Sequence, residues 1–358
     1  MQTMSNLDYG FIARELDAAL VGAFLNKVYE LRPGVLRFKF HKKGEINLLV
    51  ELGWGAYLAS KLEEPPDSPS HFATLLRRKL ANAIVKGVKQ LNFDRVMSIA
   101  FSTAGGEYSL VFEMLGKGNA LLCSGTGSIL GVYRVEQFAA RSLKIGQEYV
   151  LPPSGKKNPS DIDGTDLAGL DGKIIPALSK KINLSPFYLE EACLRAGISF
   201  DSKKLSQPEV RKLESELKAL NEPFFSVYYD EGKPIAFASI LLQKMRLQNA
   251  EVKELSSFSE ALEEYFSKVS RVRKTSRKDA EIAGLKKALE QQARVLEDGK
   301  AEEAKLRETA AVMEASLVQV QALLDSFAQM KQRKKTDAEI ARELGLEIIK
   351  GRIVTEIQ

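Results

Sequence analysis

From Ile282 to Phe327, apolar residues recur every seven positions along two lines. One line runs Ile282, Leu289, Leu296, Glu303, Ala310, Leu317, Leu324; the other runs Leu285, Gln292, Gly299, Leu306, Met313, Val320, Phe327. A repeat of this length dictates a long helix whose apolar seam is made to face another helix, because a lone helix leaves that stripe in water. No second strand of matching length follows. The basic stretch Lys331–Lys335 leads into a short strand-like tip, and the sequence stops at Gln358. Either the seam pairs between chains, or the sequence is one part of something longer. Gln292, Gly299 and Glu303 loosen the seam in its first half, and it firms from Leu306 onward.

The arm occupies only part of the 358 residues, and 44% apolar content supplies a core for the rest. The net charge of +5 is mild, so its clustering matters more than its size. Arg77, Arg78 and Lys79 form one group, Arg271, Arg273, Lys274, Arg277 and Lys278 a second, and Lys331, Arg333, Lys334 and Lys335 a third. Each is also what a solvated helix face looks like. Cys123 and Cys193 sit in unlike contexts and read as free buried thiols; with only His41 and His71 beside them, no Cys/His metal spacing exists. Neither a cofactor nor a metal is expected. The opening residues, Met1 to Gly10, lack an apolar signal core, and no run reaches membrane length, so a cytoplasmic protein without membrane contact is expected.

Ser5 or Asn6 can cap a helix to about Leu20 with Phe11, Ile12, Leu16, Ala19 and Leu20 on its apolar face. Strands are expected at 24–31, 35–40, 46–52 and 56–58, then a helix at 71–80. A second meander follows at 84–91, 95–102, 108–112, 120–123 and 129–133. Residues 1–150 thus read as two small α+β halves. Short helices are expected at 167–178, 186–195 and 208–220; Ser185-Pro186 makes a start and Gly197 a stop. Strands return at 224–229 and 235–241, and a helix over 257–269 carries Phe258, Leu262, Tyr265 and Phe266 on one face. The tip, 345–357, reads as a small hairpin or half of a sheet.

Nothing in the sequence sets a nucleophile beside a base, and Gly116-Lys-Gly118 is a turn rather than a phosphate loop. The chain is not expected to be an enzyme. Three places suit binding. Asp8 stands in the first turn of the first helix, where a capping or dipole role is the plain alternative. Asp94-Arg95 opens an apolar strand, either as a surface ion pair or as a hydrogen-bonding edge for a nucleotide. Glu113, Lys117, Gly118 and Asn119 surround a tight turn.

These places, in this order, resemble the NFACT family. The match runs through Asn6-Leu-Asp8, Gly22-Ala-Phe-Leu-Asn-Lys-Val-Tyr29 and Pro69-Ser-His-Phe-Ala-Thr-Leu-Leu-Arg-Arg-Lys-Leu80. It continues in Phe93-Asp-Arg-Val96, Glu113-Met-Leu-Gly-Lys-Gly-Asn119, Ser185-Pro-Phe-Tyr-Leu-Glu-Glu-Ala192 and Phe258-Ser-Glu-Ala-Leu-Glu-Glu-Tyr-Phe266. The resemblance implies an α+β fold: a two-part α/β sandwich like that of formamidopyrimidine-type DNA glycosylases, a helix-hairpin-helix insert and a long coiled-coil helix. It divides the chain into an N-terminal domain (1–160), the insert (161–221), strands returning to the first domain (222–256), a helix and coiled-coil arm (257–344) and a truncated tip (345–358). It implies a ribosome-associated quality-control factor that binds tRNA, with alanine tRNA as the candidate. Its other partner would be the large subunit, rRNA and proteins, carrying a stalled peptidyl-tRNA. There it promotes alanine-type tailing of the nascent chain. Asp8, Asp94 and Arg95 would contact tRNA; Arg77, Arg78, Lys117 and Asn119 are candidates for backbone contacts.

The family's returning coiled coil and C-terminal RNA-binding domain are not in this sequence, so the unpaired seam reads as a sign of truncation, with self-association as the other use of it. Three further readings stand against the leading one. The first is a coiled-coil protein-interaction module without RNA specificity. The second, a DNA glycosylase-like DNA-binding protein, lacks the N-terminal Pro-Glu such enzymes need: the chain starts Met1-Gln2-Thr3. The third, an extracellular fibronectin-binding adhesin, fits poorly with the absent signal core.

Overall fold

The computed structural model describes residues 2–168, 170, 172–350 and 352–354, and side chains other than those of 270–283, 286, 287 and 353. The second basic cluster, Ile282 of the seam and the last tip residues lie outside what is described.

A helix, α1 (Asn6–Leu20), starts the chain and buries Leu7, Phe11, Ile12, Leu16 and Leu20. It ends in a left-handed Gly22 (φ +80°) and turns into a meander of β1 (Phe24–Arg32), β2 (Val35–His41), β3 (Glu45–Glu51) and β4 (Gly55–Leu58). The plan then repeats. Helix α2 (His71–Lys79) ends in a left-handed Asn82 (φ +56°). The strands β5 (Ile84–Gln90), β6 (Val96–Thr103), β7 (Gly106–Glu113), β8 (Asn119–Ser124) and β9 (Ile129–Val132) follow. The two halves expected from the sequence are joined as one antiparallel nine-stranded sheet, in the order β4-β3-β2-β1-β5-β6-β7-β8-β9. The joint is short and nearly symmetric: the Leu25 amide donates to the Ala83 carbonyl (2.8 Å), and the Val85 amide to the Ala23 carbonyl (2.9 Å). Across the core Phe38 of β2 meets Phe112 of β7 edge-on at 5.7 Å, and Phe40 stacks on Phe101 of β6 at 6.5 Å. The two meanders therefore face one another, with α1 packed on β5, where the Asp17 carboxylate accepts from the Val88 amide at 2.7 Å.

Beyond a two-rung hairpin of β10 (Glu136–Gln137) and β11 (Ser142–Leu143) lie α3 (Gly164–Ala168), α4 (Ile174–Lys181), α5 (Pro186–Ala196) and α6 (Gln207–Lys218). The helix expected over 167–178 is thus two short ones. Gly197 closes α5 in the left-handed conformation (φ +74°), as its position after Ala196 implied. A three-stranded sheet, in the order β13-β12-β14, follows from β12 (Ser226–Asp230), β13 (Lys233–Ala238) and β14 (Glu251–Glu254), with the short helix α7 (Gln243–Leu247) before its last strand. The long helix α8 (Phe258–Ala315) begins against this sheet, burying Phe258, Leu262, Tyr265 and Phe266; Phe237 of β13 contacts three of these rings. The Glu15 carboxylate of α1 accepts from the Phe258 amide at 2.9 Å and caps α8.

The chain divides into a compact unit over Met1–Arg273 and a second over Lys274–Gln358. In the second, the expected continuous arm is broken at Ser316, whose hydroxyl bonds back to the Val312 carbonyl (2.8 Å); α9 (Leu317–Gln332) resumes beyond it. Seam residues Leu285, Leu289, Leu296, Leu306 and Leu317 are each more than 60% exposed, so the described part of the arm carries an open apolar stripe. Between the basic stretch and the tip, where the sequence alone suggests a direct connection, stands a further helix. Thr336 and Glu339 form a capping box that starts α10 (Asp337–Leu344), which buries Ile340 and Ala341. The tip itself is the hairpin β15 (Glu347–Ile349) and β16 (Arg352–Val354).

Candidate nucleic-acid interface

Arg95 was expected to open a strand; it lies instead in the turn before β6. The Leu91 amide donates to the Val96 carbonyl (2.8 Å) and the Asp94 amide to the Leu91 carbonyl (3.0 Å). Between them Asn92 and Phe93 take φ of +56° and +52°. Two successive left-handed residues that are not glycine cost about 1–3 kcal/mol each and persist only where the surroundings enforce them. Here the Gln90 amide does so, donating to the Asp94 carbonyl (2.9 Å) and to the Asn6 carbonyl (2.6 Å). The Asp94 carboxylate accepts from the Arg95 amide (2.7 Å), and the Arg95 carbonyl accepts from the Met114 amide (2.8 Å). The backbone is fixed on both sides while the Arg95 guanidinium has no hydrogen bond or ion pair among the described residues. The pair does not form the surface ion pair that was its plain alternative.

The facing wall comes from the helical segment. Asn183, just before α5, donates to the Phe93 carbonyl (3.1 Å) and accepts from the Asn6 amide group through its side chain (3.2 Å) and its carbonyl. Together these walls enclose a cleft of about 640 Å³ that Asp94 and Arg95 share with Gln2–Asn6, the loop Pro153–Lys156, and Asn183–Phe187. Lys156 is exposed there and is unpaired among the described residues. The Ser185 hydroxyl at the start of α5 is enclosed, with no partner among the described residues. An open cleft with two cations unpaired among the described residues is suited to a polyanion with hydrogen-bonding groups.

Asp8 stands behind this cleft with no exposed surface. One carboxylate oxygen accepts from the Tyr188 hydroxyl of α5 (2.5 Å) and the Ser239 hydroxyl after β13 (2.9 Å). The other accepts from the Ser5 amide (2.7 Å) and hydroxyl (2.8 Å), completing a capping box on α1. Burial raises its pKa above the ordinary carboxylate value, opposed by the bonds from Tyr188, Ser5 and Ser239. Asp8 was expected to touch a ligand; in the structure its acceptors are filled from inside, and the capping alternative describes its position.

The backbone-contact candidates do not converge on the cleft. Arg77 of α2 donates its Nε to the Val28 carbonyl (2.8 Å) and lies over the Tyr29 ring (5.1 Å), which holds it against the sheet. Arg78 and Lys117 are exposed on other surfaces. Asn119 is 1% exposed, and its side chain bonds Arg134, Glu136 and Ala120 and so builds the turn. Glu113 is buried and bidentate to Arg141, with Tyr149 donating at 2.9 Å. Burial pushes the Cys123 and Cys193 thiols up to about 11 and about 12, away from thiolate chemistry. Among the described residues no group of three His, Cys, Asp or Glu is placed to hold a metal, and no helix is long and apolar enough to cross a membrane. Gln90, Lys156 and Asn183 were not read as site residues. None carries a motif of its own; Gln90 reaches the turn from the end of β5, while the packing of the chain beyond the sheet brings Lys156 and Asn183 to it.

Residues 7–344 match the family model for the NFACT N-terminal and middle domains. The chain is 28% identical over 285 residues to the archaeal Rqc2 homolog aRqcH of Methanocaldococcus jannaschii, covering 74% of this chain and 42% of that protein. It is 32% identical over 172 residues to ribosome quality control complex subunit 2 of Schizosaccharomyces pombe, covering 46% of this chain and 17% of that one. It thus spans less than half of either relative. Among solved structures, the fibrinogen binding protein from Staphylococcus aureus superposes with a TM-score of 0.62 at 20% identity, covering 73% of this chain and 98% of that one; this likeness concerns the fold. With the match running from the start of α1 to the end of α10, the chain belongs to the NFACT family.

Proposed function

We propose that the Asp94–Arg95 cleft binds tRNA, and that the chain serves ribosome-associated quality control in the cytoplasm, on a large subunit that carries a stalled peptidyl-tRNA. The names of its relatives, ribosome quality control subunits, support the setting. The observation that carries the site is the unpaired Arg95 guanidinium, held at the cleft by a turn in which every backbone constraint is met. A guanidinium so placed can fork onto phosphate or stack on a base, and the Asp94 oxygen not used by the backbone can accept from an exocyclic amine or a ribose hydroxyl. Peptidyl transfer in alanine-type tailing would be the ribosome's chemistry, so the chain needs no catalytic group. In this reading α4–α6 form the helix-hairpin-helix insert and α8–α9 the outbound leg of a coiled coil. The exposed leucines of α8 also suit a protein partner, which sedimentation of the whole chain checks: dimers formed without RNA favour that second reading.

The test is a salt titration of tRNA binding. Arg95→Ala is expected to weaken affinity by about 10- to 100-fold, the scale of a lost charge-assisted contact of ~1.5–3 kcal/mol. The slope of log K against log salt should flatten by roughly 1. The melting temperature should stay within about 2 °C of wild type, because the guanidinium makes no hydrogen bond or ion pair among the described residues. Equal binding by wild type and Arg95→Ala, or a variant that unfolds, overturns the assignment.

A further inference from the structure

The cleft has an apolar component that charge alone does not use. Phe187, the second residue of α5, lines it and is half-buried. Its ring is not free to collapse elsewhere. It stands edge-to-face on Tyr188 at 5.1 Å and 79°, and the Tyr188 hydroxyl is bound to Asp8 (2.5 Å), within bonding distance of Ser239 Oγ (3.2 Å) and reached by the Ser239 amide (3.3 Å). An aromatic ring kept at the wall of a cleft therefore has unpaired cations of two different elements around the same space: Arg95 from the turn before β6 and Lys156 from the loop ahead of α3. Polar groups surround them, among them the partnerless Ser185 hydroxyl next but one to the ring.

A cleft meant only for a phosphate has no use for such a ring. Exposing one face of a Phe to water costs free energy that burial elsewhere would recover. Aromatic faces set among cations are how single-stranded nucleic acid is held: the cations follow the backbone, and each base lays its π-face on a ring regardless of its hydrogen-bonding edge. A duplex cannot use this face, since its bases are already stacked on each other.

We infer that Phe187 is a second contact residue of the cleft, a stacking face for one unpaired nucleobase whose flanking phosphates meet Arg95 and Lys156. This rests on the RNA-binding reading above and sharpens it, because it makes the ligand's unpaired segment, rather than its helical stems, what enters the cleft. It also makes the helical segment part of the binding site, and not only its support.

The experiment compares the whole chain with Phe187→Leu and Phe187→Trp, using a short fluorescently labelled single-stranded RNA and a duplex of the same composition. Leucine keeps an apolar contact on Tyr188 but has no π-face, so folding is preserved and stacking is not. Phe187→Leu is expected to lose about 5- to 100-fold in affinity for the single strand, the range of one base–aromatic stack, with its salt slope unchanged and duplex binding within about 2-fold. Phe187→Trp should keep wild-type affinity, and its indole emission should be quenched by the single strand and not by the duplex; the wild type, with only Trp54, gives the background. If Phe187→Leu binds the single strand like wild type while Arg95→Ala does not, the stacking assignment is wrong and the RNA reading stands. If Arg95→Ala also binds like wild type, the RNA reading itself has failed.

Discussion

Replacing Asp8 with alanine is expected to lower stability by about 3 kcal/mol, seen as a fall of roughly 10 °C in the melting temperature of the first unit by circular dichroism. The figure follows from what is left behind. Truncation removes the acceptor of the Tyr188 and Ser239 hydroxyls, which keep only each other at 3.2 Å, and that of the Ser5 amide, where Tyr188 and Ser239 have no exposed surface. Each buried unpaired group costs about 1–3 kcal/mol, and the capping box on α1 adds about 1 kcal/mol. Release of a buried charge offsets part of the sum. Asp8→Asn should cost clearly less: with its oxygen toward the Ser5 amide, its NH₂ meets two hydroxyls that can turn to accept. The pH dependence separates the two roles of the carboxylate. Burial raises the folded pKa, so the folded chain holds this proton more tightly than the unfolded chain does. That contribution is fully present below the unfolded value of 3.8 and is lost as pH rises through the raised folded value. Wild-type stability should therefore fall over this window relative to Asp8→Asn. RNA affinity gives the last check. At a temperature where Asp8→Ala is folded, its dissociation constant should lie within about 3-fold of wild type, while Arg95→Ala remains defective. An Asp8→Ala chain that melts like wild type yet fails to bind would restore Asp8 as a contact residue.

Gly118→Ala is expected to cost about 3–5 kcal/mol, whereas Gly116→Ala, two residues earlier, costs about 1–2 kcal/mol. Both glycines are left-handed, with φ of +70° and +57°, so both substitutions carry the penalty of about 1–2 kcal/mol for an L side chain in that region. They differ in their surroundings. A Cβ on Gly116 meets nothing within 4 Å, whereas one on Gly118 would stand 2.2 Å from the Gly53 nitrogen and 2.6 Å from the Leu52 carbonyl carbon. Those neighbours are backbone and cannot rotate away, so the two turns must separate, an overpacking cost of roughly 1–3 kcal/mol or more. The turn after β3 and the turn after β7 belong to different halves of the sheet, and their contact closes one meander against the other. Urea melts of the two variants measure the difference. Equal midpoints for both would show that the turns are not in contact.

The same glycines show where sequence reading stops. Gly116-Lys-Gly118 announces a tight turn, because only glycine tolerates two left-handed positions so close together without cost. It does not say that a strand end from another half of the molecule lies against one of them. Elements set by local rules were read closely: α1 with its cap, α5 from Ser185-Pro186 to Gly197, and the meanders on either side of α2. Helix α10 was equally legible through Thr336-x-x-Glu339 but was overlooked behind the basic stretch preceding it. The break at Ser316 had no signal, since a serine within a heptad also reads as an ordinary polar position.

The candidate site divides along the same line. Asp94 and Arg95 were visible as a charged pair beside an apolar run, and Asp8 as an acid in a first helical turn. Periodicity and capping depend on neighbours within a few residues, and these the sequence by itself determined: α1, α2 and α5, the two meanders and the apolar seam of the arm. Which charge is free and which is consumed depends on partners far along the chain. Asp8 is filled by residues 180 and 231 positions away, Tyr188 and Ser239, while the Arg95 turn is pinned through Asn183, whose amide reaches the neighbouring Phe93 carbonyl from 90 positions away. No local rule encodes such pairings, because they exist only when α1, the β5–β6 turn and α5 are packed together. Tertiary structure alone therefore made one acid a buried strut, left one arginine open to a ligand, and set Phe187 beside it.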